Sequence, residues 1–346
     1  MISLLPAGEI GSAIERLGIP VLSVNMRRGK AQPLPLARLT RLLRQSDAEI
    51  VQTWLYHADL LGALTRPWLG RKTLLWNLRQ SELDPRASKL STRATARVCA
   101  ALSWIAPRGI VCCSDRARTV HAALGYRKDI MVTIPNGFDL VQFRPDAMAR
   151  HSLRSELGIS SASPVIGLVG RFDPQKDVSN FLLAGRRLQD SNGGVHLVIC
   201  GREMDHNNSK LSQLVAEAGV PGNLHLLGPR HDTARIMNGL DILVSSSAFG
   251  EGFPNVVGEA MACGTPCVVT DVGDSGAIVG DTGFCVPPRQ PQALASAIES
   301  MLREGSRGLQ DRGRRARSRV EENYSIEAIA QRYEAYYASQ RPEATP

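Results

Sequence analysis

The chain has 346 residues, 43% of them hydrophobic and 21% charged, with a formal net charge of +8. Its length exceeds one ordinary hydrophobic core, so two domains are expected, and the composition is that of a soluble globular protein. No run of about 18 uncharged apolar residues occurs, which excludes a membrane-spanning helix of ordinary length.

The opening MISLLPAGEIG has no basic n-region and no long apolar core, so it does not read as a signal peptide. Strand-like runs follow at 19–24 (IPVLSV), 48–54, 73–78, 109–114 and 131–137. Helix-like runs lie between them: 36–45 is strongly amphipathic, ALTRPWLG is short and 91–106 is long. After Arg144-Pro145 a polar stretch, RPDAMARHSLRSELGISSASP, marks a boundary. The alternation then restarts, with strands at 164–172, 196–201, 224–228, 241–247, 266–271 and 284–288. Strands alternating with helices predict an α/β fold with a parallel, doubly wound sheet, here built twice. Two Rossmann-like domains facing across a cleft would bind ligands at the carboxyl ends of their strands. The expected units are 1–147, 148–323 and a terminal segment, 324–346. In that segment Ile326, Ile329, Tyr333 and Tyr336 recur at helical spacing, and the tail RPEATP is disordered by composition.

The charge is unevenly placed. Residues 1–150 hold 22 Lys+Arg against 11 Asp+Glu, a balance of +11, and 18 of those cations are arginine. The remainder holds 19 against 22, a balance of −3. For any single arginine a solvated surface is the preferred reading. An excess confined to one half suggests an anionic face opposite it, a membrane surface or a phosphorylated lipid. Nucleic acid is not expected, because no recognition helix, zinc spacing or aromatic-basic pattern appears. Seven cysteines form no C-x-x-C pair and lie in apolar runs such as IVCCS, which predicts buried, reduced thiols and a cytoplasmic setting.

The richest stretch is FGEGFPNVVGEAMACGTPCVV. Glu251 sits in a Gly/Pro-broken loop, and Glu259 in a short helix ended by Gly264. The loop frees backbone N–H groups, and the helix N-terminus after Pro254 favours an anion such as a phosphate. Upstream, VIGLVGRFDPQKD ends a strand at Gly170 and places Arg171 and Lys176 in a turn set by Asp173-Pro174. Arg171 can bond two oxygens at once and Lys176 is a compact charge, a pair suited to a diphosphate. Surface ion pairing with Asp173 and Asp177 is the alternative. Asp271 and Asp274, in VTDVGDSGAIVGD, can be read as a metal pair, or as a Gly-rich turn whose backbone approaches a ligand. In the first half His57 falls just past a strand, at the cleft edge, where a packed or surface role is the alternative. Arg79, in WNLRQSELD, offers a cation to phosphates or an acceptor, or stands exposed beside Glu82 and Asp84.

Taken together, GRFDPQKD and FGEGFPNVVGEAMACGTPCVVTDVGDSGAIVGDTGFCVPP resemble the retaining glycosyltransferases of family 4, which have the GT-B fold. Glu251 and Glu259 match that family's E-x7-E element. PNGFD at 135–139, with Phe143, matches its connector between domains. E-x7-E alone is unspecific, but its combination with GRF-x-x-x-K and the connector is specific, and the likeness runs from residue 1 to about 340. It implies a nucleotide-diphosphate-sugar donor whose diphosphate is held by Arg171 and Lys176. Glu259 would bond the ribose hydroxyls and Glu251 the transferred sugar. The backbones of Gly170, Gly252, Phe253, Asn255 and Val256 would lie nearby. It implies retention at the anomeric carbon, no metal or other cofactor, and a glycan or lipid-linked acceptor in cell-surface polysaccharide assembly. His57 and Arg79 would face the acceptor, on a protein peripheral to the inner face of the cytoplasmic membrane.

The chain departs from the family in two places. Asn77 and Arg79 stand where many relatives carry a histidine. The start resembles the family's second βα unit and third strand, so the first strand and its Gly-rich loop are expected to be absent. A sheet without its central strand exposes backbone donors, and poor stability or activity is expected. Two other functions fit the same residues: a nucleotide-sugar 2-epimerase of the same fold, which needs acid and base carboxylates from both domains, and a donor-binding protein without catalysis.

Overall fold

The computed structural model describes residues 1–26, 33–81, 89–191, 194–220 and 222–341. Glu82 and Asp84, proposed neighbours of Arg79, and residues 342–346 of the expected disordered tail lie outside them.

The first half begins with β1 (Ile2–Ser3), α1 (Gly8–Arg16), β2 (Leu22–Ser23) and α2 (Pro33–Gln45). It continues with β3 (Ile50–Trp54), α3 (Tyr56–Thr65), β4 (Thr73–Leu78), α4 (Leu90–Leu102), β5 (Gly109–Cys112), α5 (Asp115–Ala123) and β6 (Met131–Thr133). β1 and β2 pair in parallel as a separate two-stranded sheet, and β3-β4-β5-β6 form a parallel four-stranded one. The outer edge of β3 and both outer edges of the two-stranded sheet have no strand partner among the described residues. Ile2, Leu4 and Val24 still pack into the same core as Val51, Leu74 and Trp76. β4, TLLWNL, is buried throughout, which is why its apolar residues do not alternate with polar ones, and its buried Asn77 donates to the Tyr333 hydroxyl at 3.0 Å.

The second half contains α6 (Ala147–Glu156), β7 (Val165–Val169), α7 (Val178–Ser191), β8 (His196–Cys200), α8 (Ser209–Ala218), β9 (Leu224–Leu226) and α9 (Thr233–Gly239). After it come β10 (Ile242–Ser245), α10 (Asn255–Ala262), β11 (Cys267–Thr270), α11 (Ser275–Val279), β12 (Phe284–Val286) and α12 (Pro291–Leu302). These strands form one parallel sheet, ordered β12-β11-β10-β7-β8-β9. The order reverses between β7 and β10, the switch point at which doubly wound sheets open a crevice. α8 illustrates the local rules: Asn208 accepts the N–H groups of Lys210 and Leu211 at its start, and Gly219 takes φ +61° at its end.

Two long helices close the chain, α13 (Gly305–Tyr324) and α14 (Ile326–Gln340). Between them the chain pairs with the connector: Phe138 donates its N–H to Tyr324 O at 2.8 Å and accepts that of Ile326 at 2.9 Å. α14 then lies on the first half. Ile329, Tyr333 and Tyr336 pack with Val111 and Ile134, and Thr73 Oγ1 donates to Gln340 O at 2.9 Å.

Six cysteines are buried and unpaired, as expected, but Cys285 is exposed. It lies on β12, an edge strand, where the sheet does not cover every side chain. The strand expected at 19–24 shrinks to two residues, and that at 131–137 to three, because the PNG run turns the chain out of the sheet.

Candidate active site

The loops after β7 and β10 converge at the carboxyl edge of the six-stranded sheet. A cavity of about 380 Å³ there is lined by Gly170, Arg171, Lys176, Glu251, Phe253, Asn255, Val256 and Glu259, together with Val169 and Pro254. Three larger cavities lie elsewhere: about 760 Å³ beside Arg150 and Arg303, about 690 Å³ between α2 and Trp68, and about 530 Å³ beside Arg315 and Arg319. Volume is a poor guide here. The smallest is the one at the switch point of the sheet, where two cations, two carboxylates and the N-terminus of α10 meet at the carboxyl ends of β7 and β10.

Asp173 shapes the first loop by accepting the Gln175 N–H at 2.9 Å, which starts a single helical turn over Pro174–Lys176. Asp177 ends that turn in the left-handed region at φ +45°. Arg171, 48% exposed, donates from Nε to Asp173 at 3.1 Å and from Nη2 to Gln175 Oε1 at 3.0 Å. The surface-pairing alternative thus holds for Asp173. Asp177 instead accepts the Asn180 N–H at 3.3 Å. Lys176 takes a different partner: its ammonium pairs with Glu251 Oε1.

Glu251 is 7% exposed, and its Oε1 also accepts from Ser247 Oγ at 2.8 Å. Its carbonyl accepts from Ser81 Oγ of the first half. A carboxylate this buried is held by its cation and hydroxyl partners. Glu259 differs. It sits one turn into α10, its side chain has no hydrogen bond or ion pair among the described residues, and burial raises its carboxyl above the ordinary value.

Gly252, placed beside the donor by sequence, faces the first half. A Cβ there would stand 2.8 Å from Cys113 Sγ and 3.1 Å from Arg79 O, so the glycine permits close approach of the two halves. The Phe253 ring stacks on Phe138 at 6.1 Å and meets Tyr324 edge-on at 5.4 Å. The Asn255 side chain bonds that of Asn136. Arg79 lies over the Trp54 ring at 5.2 Å and near the Tyr333 hydroxyl, held by β3 and α14. His57, on the first turn of α3, is exposed and does not reach the cavity. Asp274 is not open to a metal: its two oxygens accept the N–H groups of Asp115 and Arg116.

Sequence reasoning missed Ser81, Ser247 and the cross-cleft contact of Asp274. Ser247 carries a faint signal, since it ends the strand-like run 241–247 just before the Gly-rich loop. Ser81 carries none.

The architecture has close counterparts. Anabaena HepE in complex with UDP-glucose superposes with a TM-score of 0.83 over 96% of this chain and 89% of that one, at 22% identity. Sucrose-phosphate synthase from Thermosynechococcus elongatus gives 0.79 over 92% and 82%, at 20% identity. The fold is therefore GT-B, two Rossmann-like units about a cleft. A model of Glycosyltransferase Family 4 matches residues 5–142, and one of Glycosyl transferases group 1 matches residues 163–304. With both halves matched, the chain belongs to the family 4, group 1 glycosyltransferases. Among curated relatives, the D-inositol 3-phosphate glycosyltransferase of Mycobacterium marinum is 32% identical over 211 residues, and that of Rhodococcus erythropolis 29% over 198. These alignments take in 58% and 55% of this chain but 43% and 44% of the relatives, less than half their length.

Proposed function

We propose that the chain moves a sugar from a nucleoside-diphosphate sugar to a hydroxyl acceptor, with retention and without a metal. The observation that carries this reading is the convergence of Arg171, Lys176, Glu251 and Glu259 on one cavity at the N-terminus of α10. Diphosphate oxygens would meet the Arg171 guanidinium, the Lys176 ammonium and the backbone N–H groups at the start of α10. These charges matter most as the bond from the anomeric carbon to the diphosphate oxygen breaks and its electron pair stays on that oxygen. The new bond to the acceptor oxygen forms on the same face, and the acceptor hydroxyl's proton passes to the departing diphosphate oxygen. Lys176 has three donors, so it can hold Glu251 and a phosphate together. Glu251 Oε1 is engaged, which leaves Oε2 for a sugar hydroxyl. Glu259, unpartnered and half-buried, suits the ribose hydroxyls.

The acceptor is a glycan, a polyprenyl- or otherwise lipid-linked saccharide, in cell-surface polysaccharide assembly. The surface of the first half supports a lipid setting. Of 18 large hydrophobic side chains exposed among the described residues, 14 fall before residue 106. α2 exposes Leu34, Arg38, Arg41 and Arg44, a stripe that suits an anionic bilayer. No helix among the described residues is long and apolar enough to cross one.

The test is a panel of nucleoside-diphosphate sugars against lipid-linked, glycan and phosphorylated-polyol acceptors, scored by nucleotide release and product configuration. Transfer with retention, undiminished by chelator, is expected. Binding of every donor without release favours the non-catalytic reading, and inversion at the sugar's C2 without acceptor favours the epimerase.

A further inference from the structure

We infer that Asp274 is a positioning residue that registers the two halves when the cleft closes, coupling helix α5 to the loop that carries Glu251. Its side chain crosses the cleft. Oδ2 accepts the Asp115 N–H at 2.9 Å and Oδ1 the Arg116 N–H at 3.0 Å. These are the first two N–H groups of α5, which have no partner inside the helix. The third, of Ala117, is taken by Ser114 Oγ at 2.9 Å. α5 is thus capped half by its own chain and half by the other domain, at the end where its dipole favours an anion.

The backbone of Asp274 faces the other way. Its N–H donates to Gly252 O at 3.1 Å. The preceding Gly273, at φ +62°, lies so close to the carbonyls of Glu251 and Gly252 that a Cβ would overlap them. One residue therefore grips the first half through its carboxylate and the Glu251 loop through its main chain. Burial penalises that carboxylate, and the two α5 N–H groups offset the penalty. They do so in this register of the two halves, and a shift by one turn of α5 would strand the charge. Nearby Ser81 bonds the Glu251 carbonyl along the same seam, so a change in closure reaches Glu251 directly.

The kinetic part of this inference rests on the proposed transfer reaction; the structural part does not. The test compares the full chain with Asp274→Ala and Asp274→Asn by small-angle scattering with and without UDP, by UDP titration, and by transfer kinetics. Asp274→Ala is expected to widen the particle in both conditions and to keep UDP affinity within about threefold. It should lower kcat by about tenfold or more, the size of effect two hydrogen bonds to a charged group allow. Asp274→Asn retains one acceptor oxygen and should fall between. Ser114 still caps α5, so the unfolding midpoint should hold, and a preserved midpoint shows that the variant is folded. Wild-type dimensions and kcat in Asp274→Ala overturn the inference. So does a loss of UDP affinity as large as the loss of turnover, which would make Asp274 a donor ligand. If wild type turns over no donor, the transfer reading fails, while scattering still decides whether Asp274 sets closure.

Discussion

The two halves of this molecule solve the same folding problem with different completeness. The second is one continuous six-stranded parallel sheet whose strand ends deliver the GRFDPQK and GEGFPN loops to one point. The first is divided, a two-stranded sheet beside a four-stranded one, and its candidates His57 and Arg79 do not line the cavity formed by the second. A continuous sheet makes a site whose parts are short loops, each encoded by a local run. A divided sheet leaves its functional side chains to be placed by partners distant in sequence, as Arg79 is placed by Trp54 and Tyr333.

The sharpest way to break that comparison is to disrupt the centre of the second half. Lys176→Ala removes the cation proposed for the diphosphate and strands the buried Glu251 carboxylate. Turnover should fall about 100- to 1,000-fold. Stability should fall by about 3 kcal/mol, the usual cost of breaking a buried pair from one side. The double variant Lys176→Ala/Glu251→Ala should recover much of that stability and none of the activity. Denaturant unfolding beside a transfer assay reads both. A single variant that transfers at the wild-type rate would remove Lys176 from the site.

Arg171→Ala should act on the ligand alone. Its partner Asp173 is on the surface, where such pairs contribute about 0.5 kcal/mol or less, so the unfolding midpoint should hold. Donor affinity should fall about tenfold or more with the loss of charge-assisted hydrogen bonds. Isothermal titration with UDP checks this, and unchanged affinity would leave Arg171 as a loop-capping residue.

The difference between the halves also explains what the sequence showed. Glu251, Glu259, Arg171 and Lys176 were legible because each lies in a loop or first helical turn punctuated by Gly or Pro. The six strands behind them were legible because they are short, mostly apolar runs bounded by Gly, Pro or polar residues. The partner of Lys176 was not legible: 75 residues separate it from Glu251, and no local pattern records that pairing. The resemblance places Gly252 beside the donor with its loop neighbours, whereas in the structure it permits the close approach of Cys113 and Arg79. Asp274 stays open between a metal pair and a ligand-approaching turn in the sequence, because a sequence shows a carboxylate and not the helix end it caps.

Glu259→Gln separates binding from stability within the second half. Burial raises the Glu259 carboxyl, so the folded chain binds that proton more tightly than the unfolded one. Stability from this group is therefore fullest at pH values below the unfolded value of about 4.5. It declines as pH rises toward the folded value, and at neutral pH the bare carboxylate is a net cost. Glutamine should raise the ligand-free midpoint by roughly 2 °C at pH 7. It should also weaken UDP binding several-fold, because a neutral amide accepts ribose hydroxyls less strongly. In wild type, UDP affinity should fall on acidification from a higher pH than an ordinary glutamate would give, and the variant should lose that limb.

The smallest effect is expected at His57, and it tests the first half. This side chain is exposed and makes no hydrogen bond or ion pair among the described residues, so His57→Ala should change stability by less than about 0.5 kcal/mol. It lies outside the donor cavity, so UDP affinity should also hold. A residue that meets the acceptor across the cleft removes a contact shared by ground and transition states when truncated. That raises KM for the acceptor a few-fold at unchanged kcat. Equal acceptor KM in the two proteins would return His57 to the solvent-facing surface of α3. It would leave Arg79, fixed between Trp54 and Tyr333, as the first half's candidate contact with the acceptor.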